Sequence, residues 1–168
     1  LHPDIAAQLG LDIVPGSIAN GTPMPARRRD PTFRERVLRA YEYRCCVCGF
    51  DLRIGNVSAG LEAAHIRWFT AKGPDVESNG MAMCALHHKI FDLGAFTVEP
   101  NNLAIVFSQN LQLGESTRSH LLSYHGAGII QPQSKAYAPD REFCSGTLNG
   151  FSSRLVGNEW GALALIPR

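Results

Sequence analysis

No apolar run in this 168-residue chain approaches the roughly 20 residues that a membrane-crossing helix needs, which excludes a helical membrane span. The opening Leu1-His2-Pro3-Asp4 lacks the basic start and apolar stretch of a secretory signal, so a cytoplasmic location and no membrane partner are the expectation. Net charge is almost absent at +1, leaving no global field to draw the chain to nucleic acid or to a membrane surface. Charged residues make up only 18% beside 45% hydrophobic ones, a balance that excludes a disordered or fibrous chain. There is no internal repeat and no low-complexity tract. The length suits one domain with tails.

What charge there is lies unevenly. Arg27, Arg28, Arg29, Arg34, Arg36, Arg39 and Arg44 crowd one stretch with few acids among them. That suits phosphate attraction, although on charge alone a solvated helix face explains it first. The five cysteines are an odd number, with Cys45, Cys46, Cys48 and Cys84 ahead of Cys144. An odd, clustered set points to a reducing compartment and to metal rather than disulfides.

Residues 1–25 are punctuated by Pro15-Gly16, Asn20-Gly21 and the prolines at 23 and 25, and read as a connector that could end an upstream domain. Asp30-Pro31 is a helix start, with the carboxylate as N-cap, and Phe33, Val37 and Tyr41 give an apolar stripe running to about Arg44. Cys45–Phe50 reads as a tight knuckle, Leu61–Ile66 as a short strand and Thr70–Ser78 as a loop. Asn79-Gly80 is expected to open a helix from Met81 to about Asp92, ended by Gly94. Phe96–Val98 and Leu103–Phe107 flank Pro100-Asn101-Asn102 as a hairpin, and Ser116–Tyr124 is a short amphipathic helix.

Cys45-x-x-Cys48 and, after 35 intervening residues, Cys84-x-x-His87 are two half-sites that together suit tetrahedral zinc. The alternative is four unrelated core residues. Cys46 has the wrong spacing from Cys48 to replace Cys45 and reads as a packed thiol. Neighbouring helical residues point about 100° apart, so His88 cannot face the ion that His87 holds. His65 and Asn79 complete a second frame with it, His65-x13-Asn79-x8-His88, interleaved with the zinc half-sites.

That interleaving, with Glu62-Ala63-Ala64-His65-Ile66, Ser78-Asn79-Gly80 and His87-His88-x-x-Phe91-Asp92, resembles the HNH endonucleases over roughly residues 26 to 130. The likeness is strongest to the branch found in bacterial restriction enzymes that attack modified DNA, one group of which reads phosphorothioate linkages. It implies an α+β fold: a ββα-metal, treble-clef-like core with a structural zinc site, a flanking N-terminal helix, and a C-terminal hairpin plus short helix. It implies DNA as substrate. His65 would be the general base, and a histidine's ordinary pKa suits that task near neutrality. Asn79 would pin the loop between them, and His88 would hold one catalytic divalent cation such as Mg²⁺, Mn²⁺ or Ni²⁺.

The chain departs from the family in two places. Many members carry a metal ligand directly before the base, where this sequence has Ala64. Asp92, four residues after His88 on the same helix face, is the candidate to fill that shell. Glu62 is a weaker one, since alternation along a strand turns it away from His65. The family's closing Trp-His pair is also absent. Residues 131–168 therefore read as a tail, frameshifted near Phe143 or disordered. Arg34, Arg67, Lys72 and Lys89 are candidate phosphate contacts, each equally readable as surface charge. Recognition of the modification would fall to an upstream domain, and double-strand cleavage would call for a homodimer. The alternative function is a zinc-stabilised nucleic-acid-binding module without cleavage activity, which would leave His65 and His88 idle.

Overall fold

The arginine-rich segment folds as α1, Phe33–Ala40, which buries Phe33, Val37, Leu38 and Ala40 and turns Arg34, Glu35 and Arg39 outward. The computed structural model describes residues 28–109 and 111–145; the connector expected over 1–25 and the tail from 146 onward lie outside the described residues. α1 starts two residues after Pro31. Its N-cap is Thr32, which makes no side-chain cap bond, and not Asp30 as expected. The Asp30 carboxylate closes the turn before the helix, accepting from the Thr32 backbone N–H at 2.8 Å and the Thr32 hydroxyl at 2.7 Å. α1 also stops at Ala40 rather than Arg44, because Glu42 and Tyr43 take positive φ values of 53° and 57° and break the helical path.

After the knuckle, a small hairpin pairs β1 (Arg53–Ile54) with β2 (Val57–Ser58) around Gly55-Asn56. The heart of the fold is the antiparallel pair of β3, Leu61–His65, and β4, Gly80–Cys84, running in register from Leu61 opposite Cys84 to His65 opposite Gly80. β4 passes straight into α2, Ala85–Asp92. The result is an α+β fold with a ββα core.

β4 is the main correction to the sequence reading, which ran a helix through Met81–Cys84. Every residue of β4 is buried, so no alternation marks it as a strand, and Met-Ala-Met favours helix intrinsically. Packing on both faces overrides that preference. α1 crosses β3 and β4 so closely that a Cβ on Gly80 would lie 2.4 Å from Val37 Cγ2. Asn79 accordingly ends a 3-10 turn before β4 rather than opening a helix.

β5 (Phe96–Val98) and β6 (Ile105–Phe107) form the expected hairpin, and Phe96 packs in tilted contact with Phe91 of α2 at 5.4 Å and with Phe107 at 5.3 Å between ring centroids. α3, Glu115–Leu122, buries only Leu121. Packing continues past residue 130. Ile130 N–H donates to Cys46 O, Gln133 N–H to Ala40 O and Asp140 N–H to Ser78 O, while Cys144 is fully buried. No helix among the described residues is long and apolar enough to cross a membrane.

Candidate active site and metal centre

The knuckle is closed by two backbone bonds, Cys45 N–H to Phe50 O and Gly49 N–H to Cys45 O, with Gly49 at φ 74°. It carries Cys45 and Cys48 to the junction of β4 and α2, where Cys84 and His87 wait. One ligand atom from each lies within 4.8 Å of every other. Tetrahedral zinc, with bonds of about 2.3 Å to sulfur and 2.0–2.1 Å to nitrogen, needs donor atoms about 3.5–3.8 Å apart. Cys45 Sγ stands 3.7 Å and Cys84 Sγ 3.1 Å from His87 Nδ1, and the Cys48 and Cys84 sulfurs are 4.0 Å apart.

The chemistry of the donors fits a cation as well. Burial opposes ionisation of Cys45, yet the hydrogen bond from His87 and those from the Cys48, Cys84 and Val47 backbones bring its pKa down to about 6. Burial first, and then mainly the neighbouring Cys45 charge, pushes Cys48 up to about 12. Three sulfurs so close cannot all ionise without a positive charge among them. His87 Nε2 is buried without a hydrogen-bond partner among the described residues, so Nδ1 is the atom that meets the sulfurs. Cys46 is fully buried and outside the cluster, and burial holds its thiol well above the usual range. It is a packed thiol, as its spacing suggests.

A second constellation opens on a cavity of about 680 Å³ whose walls include His65, Asp75, Glu62, His88 and Asp92. His65 ends β3. Its ring stacks on Phe33 at 4.1 Å and 17°, and Nε2 lies 2.7 Å from Asp75 Oδ1. Across the cavity, His88 pairs through Nδ1 with Glu62 and through Nε2 with Asp92, the latter at 3.5 Å. Asp92 is where helical spacing puts it. Glu62 is turned away from His65 by strand alternation, and its partner is instead His88 on α2.

Asn79 is fully buried and holds the loop after β3 in shape. Its carbonyl accepts from Arg67 N–H at 2.8 Å, and its amide donates to Arg67 O at 3.0 Å and Pro74 O at 2.8 Å. The loop closes so tightly that a Cβ on Gly73 would stand 1.8 Å from Arg67 O. Arg36 ties the same loop to α1, donating to Asp75 O at 2.6 Å and Glu77 at 2.9 Å. Arg36 and then Thr32 hold the Asp30 carboxyl down to about 2 by hydrogen bonding.

Of the four basic side chains expected near phosphates, Arg34 lines the cavity and donates to Leu61 O at 2.8 Å. Arg67 turns instead to the C-terminal segment, donating to the Glu142 carbonyl and carboxylate at 3.1 Å each and covering the Phe143 ring at 4.9 Å. Lys72 and Lys89 are exposed and do not line the cavity. Sequence reasoning named Arg29 within the arginine run without singling it out, although it sits over Phe69 at 5.1 Å on the cavity wall, and it missed Asp75. Arg29 had a signal in the arginine run. Asp75 had none, because only the folded loop brings it back to His65.

Residues 45–99 match the family model described as HNH endonuclease. Among solved structures, the chain is similar to one titled "Modification dependent TagI restriction endonuclease", with 24% sequence identity and a TM-score of 0.53. The match covers 75% of this chain and 39% of that one, and at this identity it speaks for the fold alone. No curated protein matches the chain.

Proposed function

From the HNH domain that this chain carries, we propose that it is the cleavage part of a restriction endonuclease, hydrolysing phosphodiester bonds in modified DNA with a divalent cation. The observation that carries this reading is the shared cavity, which places a carboxylate-paired His65 across from a carboxylate-flanked His88. Zinc at Cys45, Cys48, Cys84 and His87 has a structural role here, joining the knuckle to the β4–α2 junction.

His65 takes the proton from the attacking water as general base. Asn79 keeps the loop beside it in shape. His88, with Glu62 and Asp92, forms a nitrogen and oxygen donor set that suits a hard divalent ion such as Mg²⁺, Mn²⁺ or Ni²⁺ at the mouth of an open cavity. Bound there, such an ion supplies charge neutralisation at the phosphate and the departing oxygen. Glu62 and Asp92 take the place of the ligand that Ala64 cannot provide. Arg29 and Arg34 on the wall are the phosphate contacts, fixing the duplex without reading its sequence. Modification readout belongs to another module, and double-strand cleavage to a pair of protomers.

The test is incubation of supercoiled plasmids, with and without DNA modification, with the purified protein and added Mg²⁺, Mn²⁺ or Ni²⁺. Nicking that requires the added ion supports the proposal. DNA retention with no cleavage under any ion would reject it in favour of a binding module.

A further inference from the structure

The loop that Asn79 shapes delivers Asp75 to the base, ten residues away in sequence, and both oxygens of its carboxylate are engaged. Oδ1 lies 2.7 Å from His65 Nε2, and Oδ2 accepts the Asp30 backbone N–H at 2.9 Å. The pair is well shielded, the His65 side chain being 15% exposed and that of Asp75 10%. We infer that Asp75 is a positioning residue that fixes the tautomer of His65, holding the proton on Nε2 so that Nδ1 is the nitrogen that accepts from water. This rests on the nuclease reading above.

An ionised carboxylate can only accept, so a neutral imidazole beside it must present Nε2–H. The lone pair is then on Nδ1. Phe33, stacked flat on the ring, and Phe69, edge-on at 6.4 Å, limit its rotation. The Asp30 N–H does a second job by making the two carboxylate oxygens inequivalent. In an Asp75→Asn variant, the amide oxygen is drawn to that N–H, and the NH₂ group then faces His65 Nε2. It can only donate there. Nε2 becomes the acceptor, the ring proton moves to Nδ1, and the base is blocked with every heavy atom in place. Arg36, on Asp75 O, and Asn79, on Pro74 O, hold the backbone where this exchange has that result.

The experiment reads the His65 tautomer by long-range proton–nitrogen NMR, beside single-turnover cleavage, in the wild type, Asp75→Asn and Asp75→Glu. The wild type is expected to show Nε2–H and Asp75→Asn to show Nδ1–H. The cleavage rate of Asp75→Asn should fall about a hundred- to ten-thousand-fold with substrate KM unchanged, the range that general-base catalysis supplies. Asp75→Glu, still acceptor-only, should keep Nε2–H and recover part of the rate. Nδ1–H in the wild type would overturn the inference without any variant, and so would an Asp75→Asn protein that cleaves at the wild-type rate. The tautomer is read on the protein itself, so wild-type inactivity on DNA would sink the nuclease reading while the NMR result still decides the role of Asp75.

Discussion

Replacing Asn79 with alanine removes three hydrogen bonds at a fully buried position and leaves Arg67 N–H, Arg67 O and Pro74 O without their side-chain partner. At about 0.5–1.5 kcal/mol net for each bond, the loss is roughly 2–4 kcal/mol, with the upper end favoured where water cannot enter. Relief by collapse is blocked, because Gly73 already lies against Arg67 O and the loop has no closer packing to adopt. The loop that carries Asp75 should therefore loosen, and His65 should lose its fixed partner. Urea unfolding of the zinc-loaded protein measures the first effect, and single-turnover DNA cleavage the second. An Asn79→Asp variant sharpens the test, since it keeps the acceptor and loses both donated bonds. Stability within about 0.5 kcal/mol of wild type in both variants, with cleavage intact, would refute the view that this side chain organises the site.

Three further outcomes follow from the same contacts. Cys84→Ser should lower zinc content and stability together, whereas Cys46→Ser should keep its zinc, as read by metal analysis beside thermal melting. Gly80→Ala should cost about 1–3 kcal/mol, because the new methyl meets Val37 Cγ2, and Val37→Ala in the same chain should recover part of that in a double-mutant cycle. Asp30 has a carboxyl held down to about 2 from 3.8, so its contribution is present above 3.8 and lost as pH falls through about 2. The small stability gap between wild type and Asp30→Asn in urea titrations should therefore close as the solution is acidified across that window.

The two half-sites were legible because a two-residue gap lets both side chains of a pair reach one point, and folding then brings Cys45, Cys48, Cys84 and His87 close enough together to hold a metal ion. The hairpin at Phe96–Val98 was legible from a turn flanked by apolar runs. β4 was not, since Gly80–Cys84 is buried on both faces and shows no period. Its absence misplaced Asn79, whose nearness to His65 comes from the strand register that sets His65 opposite Gly80 rather than from a helix start. Glu62 was weighed by its direction relative to His65, whereas its partner is His88, brought over β3 by α2. Asp75 was invisible because its partner is set by a closed loop, and loop closure depends on Gly73, Asn79 and Arg36 acting together.

The most direct test of a zinc-stapled HNH core using His65 as base is single-turnover DNA cleavage by wild type and His65→Ala, with zinc content measured on both. The account predicts equal zinc and equal folding, with cleavage by His65→Ala reduced about a hundred- to ten-thousand-fold. Cleavage at the wild-type rate by a zinc-loaded His65→Ala protein would contradict it.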